Sequence, residues 1–230
     1  MIWWDSIRTD EGGETVFNQS TQDWVRALAI RLIKPLTRTS VSPNLITTIG
    51  LAFCLAVAAL AAGGYLRLAG LVLAISCITD VADGALARAR NVASDYGAFY
   101  DSMLDRIGEA VIGAGILVYY VNQGHAMEGA LLTYLSVCGA LMVSYARARA
   151  EGLGMECAIG FMARPERIVV TCAGLVFSGL GLWVLTASLW ILLVTTFLTT
   201  GQRMLYIYNL THPRPEERRP RLVRRRRIAS

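Results

Sequence analysis

The sequence predicts an all-α integral membrane fold: six transmembrane helices preceded by an amphipathic interfacial helix. Three observations carry this expectation. Hydrophobic residues make up 54% of the 230 positions and charged residues only 17%. The apolar residues fall in runs of about 20, the length a helix needs to cross a bilayer. Basic residues collect at alternate ends of those runs, as positive-inside topology requires. A soluble domain of this length would mix polar and apolar residues more evenly. The abundant Gly and Ala suit closely packed membrane helices.

The first residues, MIWWDSIRTDEGGETVFNQSTQ, lack the basic start and apolar core of a signal peptide, so no cleavage is expected. Residues 22–38, QDWVRALAIRLIKPLTR, read as the amphipathic helix. At about 100° per residue, Asp23, Arg26, Arg31, Lys34 and Arg38 share one arc. Trp24, Val25, Leu28, Leu32, Ile33 and Leu36 cover the opposite one, with Ile30 the exception. Such a helix lies in the headgroup layer with its basic side toward anionic lipid.

The six spans are expected at 44–63, 66–88, 97–120, 127–148, 164–184 and 187–209. An even number of spans puts both termini on one side. That side receives the basic arm, Arg88 and Arg90, then Arg147, Arg149, Arg164 and Arg167, and the Arg-rich tail; the other side holds Arg67 alone. Both termini and the stretch 80–106 are therefore expected in the cytoplasm, with the protein multi-pass in the cell membrane. The tail, RPEERRPRLVRRRRIAS, is expected to be disordered and drawn to anionic headgroups. No folded reader module accompanies it, so no nucleic-acid partner is expected. The domain division is an arm over 1–39, a six-helix domain over 40–210 and a basic tail over 211–230. Cys54, Cys77, Cys138, Cys157 and Cys172 show no ligand spacing and read as small buried hydrophobes.

The stretch DVADGALARARNVASDYGAFYDSMLDR, residues 80–106, puts five aspartates beside apolar spans. Charge in a membrane span points to function. Asp80, Asp83, Gly84 and Ala87 fall on one helical face, and Gly97, Asp101 and Asp105 on another. A short loop joins the two helices, so they are expected as antiparallel neighbours whose acidic faces meet. Four carboxylates brought together need compensation. Mg²⁺ or Mn²⁺ provides it through hard oxygen donors, leaving positions for phosphates. Two such ions about 3.5–4 Å apart make a clamp for in-line phosphoryl displacement. Spacing alone leaves two alternatives open: structural ion pairs with Arg88, Arg90 and Arg106, or an ion or proton path.

The pattern Asp80-x2-Asp83-Gly84-x2-Ala87-Arg88-x8-Gly97-x3-Asp101-x3-Asp105 resembles, without a mismatch, the signature of the CDP-alcohol phosphotransferase family. The six-span layout and the amphipathic helix are similar to that family too. The resemblance implies an enzyme that moves a substituted phosphate from a CDP-linked lipid to an alcohol and releases CMP. It implies Asp80, Asp83, Asp101 and Asp105 as ligands of two Mg²⁺ or Mn²⁺ ions, with Asp105 the general base. It implies Pro43, Asn44, Thr47, Asp83, Gly84, Ala87 and Arg88 around the nucleotide, and a homodimer. Asp95 matches no motif position and is assigned to the loop, facing solvent or Arg90. Arg106 is expected to pair with Glu109, at i+3.

The acceptor is expected to be phosphorylated. Arg147 and Arg149 end the fourth span, in SYARARAEGLG. Pro165 opens the fifth, in GFMARPERI, with Arg164 and Arg167 at a helix N-terminus, a ready anion site. These stretches resemble the inositol-phosphate-using branch of the family, phosphatidylinositol phosphate synthases and their archaeal ether-lipid relatives. Arg147 stands where Lys is usual and Ala163 where an acidic residue is usual. The resemblance implies transfer from CDP-diacylglycerol, or CDP-archaeol, to inositol 1-phosphate. Phosphatidylglycerophosphate synthesis, with glycerol 3-phosphate as acceptor, is the nearest alternative. An ion-translocating protein ranks lower, because LAGLVLAISC and GAGILVYYV offer no acidic residues toward the far side. An idle membrane scaffold leaves the intact motif without a role.

Overall fold

The computed structural model describes residues 43–89, 94–124 and 126–212; for Pro43, residues 78–89 and Ala126 it describes the backbone alone. The amphipathic helix at 22–38 and the tail from 213 onward lie outside the described residues. Six α-helices follow in order: α1 (Pro43–Ala62), α2 (Leu66–Ala89), α3 (Asp95–Asn122), α4 (Ala126–Glu151), α5 (Arg164–Val176) and α6 (Leu182–Thr211). A 3₁₀ turn, Phe177–Leu180, separates the last two. There is no strand among the described residues. Among the described residues, three stretches are long and apolar enough to cross a membrane: Asn44–Ala62, Met127–Glu151 and Leu182–Thr211.

The helices form a ring. α1 packs on α2 and α3, α3 on α4, α4 on α6, α6 on α5, and α5 back on α2. Over the described residues α1 stands against both α2 and α3; the expected meeting of α2 with α3 at their acidic ends falls on positions 78–89, whose side chains lie outside the described residues. α1 and α3 approach closely at Gly115. A Cβ there would come within 2.4 Å of the Ala58 carbonyl oxygen and 2.5 Å of its Cα. Only glycine lets α1 approach α3 backbone to backbone at this point. Val57, Ala61, Leu66, Leu73, Ile112, Ile116 and Tyr120 fill the core beside this seam, and Leu175, Leu185 and Leu189 extend it across the ring.

Gly115→Ala is therefore expected to cost about 3 kcal/mol, because the methyl meets backbone that cannot rotate away. That corresponds to a Tm lower by roughly 6–12 °C in detergent. An unchanged melting curve would show that α1 and α3 separate without penalty.

The fifth span is shorter than expected. The expected span runs to 184 and the next starts at 187; the helix instead ends at Val176 and α6 begins at Leu182. The chain reverses at Gly181, whose φ of 141° lies in a region that side chains with a Cβ rarely adopt. Hydropathy runs on through Leu180, Leu182 and Trp183, so the break is invisible to an apolar count. The expectation that Asp95 sits in a loop is also corrected: it is exposed and opens α3. Ser94 caps that helix, its hydroxyl accepting from the Gly97 N–H at 3.0 Å. A carboxylate in the first turn suits the positive end of the helix dipole.

Candidate active site

The four turns that open α3 place Gly97, Asp101, Asp105 and Glu109 at successive i+4 positions, on one face. The first turn of this face adjoins the start of α1. A Cβ on Gly97 would lie 3.5 Å from the Asn44 side-chain oxygen. One turn on, the Tyr100 and Thr48 hydroxyls bond at 3.0 Å, and Thr48 donates to the Asn44 carbonyl at 2.8 Å. Asn44, half-buried, thus stands near the α3 face that carries the aspartates, and Thr47, also half-buried, lies one turn further along α1. The side chains of Pro43, Asp80, Asp83, Gly84, Ala87 and Arg88 lie outside the described part of the structure. The backbone of α2 sets positions 80 and 83 one and two turns beyond Ser76.

Ser76 faces a cavity of about 60 Å³ at the centre of the ring, to which all six helices contribute. That volume holds a few water molecules. Asp105 and Glu109 enter it from α3; Arg164 and Arg167 enter from α5. Two charged bridges cross the gap. Arg164 Nη2 lies 2.7 Å from Asp105 Oδ1. Arg167 grips Glu109 with both prongs of its fork, Nε to Oε1 at 2.6 Å and Nη2 to Oε2 at 2.9 Å. Bidentate geometry of this kind is the strong form of the arginine–carboxylate contact. The Arg167 side chain is 3% exposed and that of Arg164 24%, so the first is locked away while the second borders accessible space.

Glu109 is therefore not the partner of Arg106. Arg106 instead donates to the Ser102 carbonyl of its own helix. Glu109 turns toward the cavity, where the fork of a buried arginine offers two aligned donors at once.

The arginines of α4 diverge. Arg147 is half-buried and donates from Nε to Glu151 at 2.8 Å, whereas Arg149 is exposed. One residue that sequence reasoning missed stands nearby: Arg203, 4% exposed in the C-terminal third of an apolar helix. Its guanidinium donates to the Ile159 carbonyl at 2.9 Å and to the Val143 carbonyl. It thereby ties α4 and the loop 152–163 to α6. The signal was available, since an arginine inside an apolar span marks a functional position. The same loop carries Cys157, whose thiol is pushed up by burial, with Arg203 and Arg147 pulling the other way. Low thiolate content makes this cysteine a packing residue, as the sequence suggested.

Three comparisons with known proteins bear on this arrangement. The family model for CDP-alcohol phosphatidyltransferase matches residues 40–201. An archaetidylinositol phosphate synthase of Methanothermobacter thermautotrophicus is 36% identical over 193 residues, covering 83% of this chain and 96% of the relative. A phosphatidylinositol phosphate synthase of Mycobacteroides abscessus is 31% identical over 176 residues, covering 75% and 80%. Among solved structures, the phosphatidylinositol phosphate synthase of Mycobacterium tuberculosis with CDP-DAG bound superposes with a TM-score of 0.72 at 26% identity, over 79% of this chain and 94% of that one. The same enzyme, solved with manganese and citrate, gives 0.71 at 27% identity over 78% and 88%. With its apolar helices, its ring around a charged cavity and these matches along most of its length, the chain belongs to the CDP-alcohol phosphatidyltransferase family of membrane enzymes.

Proposed function

We propose that the chain transfers a phosphatidyl group, or its ether-lipid equivalent, from a CDP-linked lipid to inositol 1-phosphate, releasing CMP. The observation that carries this reading is the bridge from Arg164 to Asp105. An arginine that holds the phosphate of an acceptor at this place brings the acceptor's hydroxyl to the carboxylate that takes its proton. Arg147 supports the same anion from α4, and Arg149 stands further out on that helix. The alcohol oxygen attacks the phosphorus that bears the lipid, Asp105 accepts the hydroxyl proton, and the bond from that phosphorus to CMP breaks.

Asp80, Asp83, Asp101 and Asp105 would hold two divalent cations. The donor set fits: Asp101 and Asp105 present half-buried carboxylates one helical turn apart, hard oxygen donors of the kind Mg²⁺ and Mn²⁺ take. When bound, the metals neutralise the pyrophosphate and polarise the reacting phosphorus. Pro43, Asn44, Thr47, Asp83, Gly84, Ala87 and Arg88 surround the nucleotide. This reading also places all six helices across the cell membrane, with both termini and the site cytoplasmic. Residues 22–38 lie at the surface as an amphipathic helix, within an arm of 1–39; 40–210 form the catalytic domain and 211–230 a basic tail. The assembly is a homodimer.

The test is purified protein with labelled CDP-lipid, Mg²⁺ or Mn²⁺, and separate additions of inositol 1-phosphate, glycerol 3-phosphate, inositol and serine. CMP release with inositol 1-phosphate is expected. Release with glycerol 3-phosphate alone would replace the acceptor, and no release with any alcohol would remove the reaction.

A further inference from the structure

We infer that Glu109 and Arg167 form a positioning pair that sets Arg164 against Asp105, and that Arg167 is not itself a ligand of the acceptor. The inference rests on the acceptor reading above. Its starting point is the ring. α5 packs mainly on α2 and α6, while α3 lies across the cavity from it. The register between the Arg164 helix and the Asp105 helix is therefore carried by side chains. Two bridges do this, Asp105 to Arg164 and, one turn deeper, Glu109 to Arg167.

The deeper bridge is the fixed one. Arg167 spends Nε and Nη2 on Glu109, reaches Ser144 Oγ at 3.5 Å, and donates from Nη1 to the Met162 carbonyl at 3.3 Å. Little donor capacity is left for a phosphate. The contact with Met162 explains what the pair holds. The N-cap of α5 is Ala163, which has no side chain able to cap, so the first turn lacks its usual anchor. The preceding residue provides one instead. The Met162 N–H donates to Thr199 Oγ1 at 3.2 Å while its carbonyl accepts from Arg167. The peptide groups just ahead of Arg164 are thus clamped between α6 and the Glu109-bound arginine.

Neutralising Glu109 separates the two roles by sign. If Arg167 bound the acceptor directly, Glu109→Gln would release its fork and tighten acceptor binding. If it positions, the same change loosens the clamp and weakens binding. The experiment measures the Kd for inositol 1-phosphate by titration calorimetry, and KM for both substrates by CMP release, on unmodified protein, Glu109→Gln and Arg167→Lys. Lysine keeps the charge but loses the fork. Expected for each variant is an acceptor Kd and KM raised about tenfold to a hundredfold, as small misplacement of a binding group produces. KM for the CDP-lipid stays within about twofold, because the pair acts on acceptor binding alone. Thermal stabilisation by CDP-lipid checks that each variant is folded, and if Glu109→Gln does not fold, Glu109→Asp, which keeps the charge but shortens its reach to the Arg167 fork, is read by the same sign. Unchanged or tighter acceptor binding in the folded variants overturns the proposal, as does an equal loss for both substrates. If unmodified protein binds glycerol 3-phosphate and not inositol 1-phosphate, the acceptor reading fails, and the comparison is made with glycerol 3-phosphate. If it binds neither, both readings fall.

Discussion

Asp105→Asn is expected to lower CMP release by about 10²–10⁴-fold, the range for loss of a positioned general base. The amide keeps the shape of the side chain and can still accept from Arg164, so α3 and α5 keep their relation across the cavity. What disappears is the charge that, in the proposed mechanism, takes the hydroxyl proton and helps to hold the metals. Binding of the CDP-lipid should survive, because the nucleotide is assigned to the start of α1 and the end of α2. The check is single-turnover CMP release alongside thermal stabilisation by CDP-lipid. A variant that retains more than about a tenth of the activity would take the base role away from Asp105.

Removing divalent cations is the second large effect. Chelation should bring CMP release to background, and Mg²⁺ or Mn²⁺ should restore it. In the proposed site, carboxylates of α2 and α3 share the space with a pyrophosphate and a phosphorylated alcohol. Without cations these negative groups repel one another, and the reacting phosphorus keeps its full shielding charge. Several kcal/mol of transition-state stabilisation are lost, a rate at least ~100-fold lower. Dialysis against EDTA followed by metal add-back measures this directly. Full activity after exhaustive chelation would leave the aspartates as plain ion-pair partners.

Much of the helical layout was legible in the sequence, because long apolar runs leave few other options. Five helix starts fall within a few residues of expectation. The exception, the sixth helix at Leu182, depends on one glycine dihedral, and no count of apolar residues records that. The arrangement of helices was harder. The close approach of α1 to α3 rests on Gly115 and Ala58, 57 residues apart in the chain, and no local spacing marks it.

The site divides in the same way. Local spacing marks the aspartates of α3, since i+4 periodicity alone puts them on one face. Glu109 continues that face, but its partner could not be read locally. The nearest arginine in sequence, Arg106, lost it to Arg167 on another helix, whose fork meets the carboxylate in a buried cavity. Arg203 was overlooked for the opposite reason: a single arginine barely changes the hydropathy of a helix of 30 residues. It is the tertiary contacts with Ile159 and Val143 that show what it holds.

The order of helices around the ring also bears on how the protein is made. Along α2, α1, α3 and α4, each contact joins helices at most two apart in the chain, so the first four to emerge can assemble as an open arc. The arc cannot shut until α5 reaches α2 and α6 reaches α4. Synthesis runs from the N-terminus, so the carboxylates of α3 are made before the arginines that bridge to them. The last pair of helices both completes the wall and delivers the positive half of the site, and a chain cut short before residue 164 would carry the acid without its counterweight.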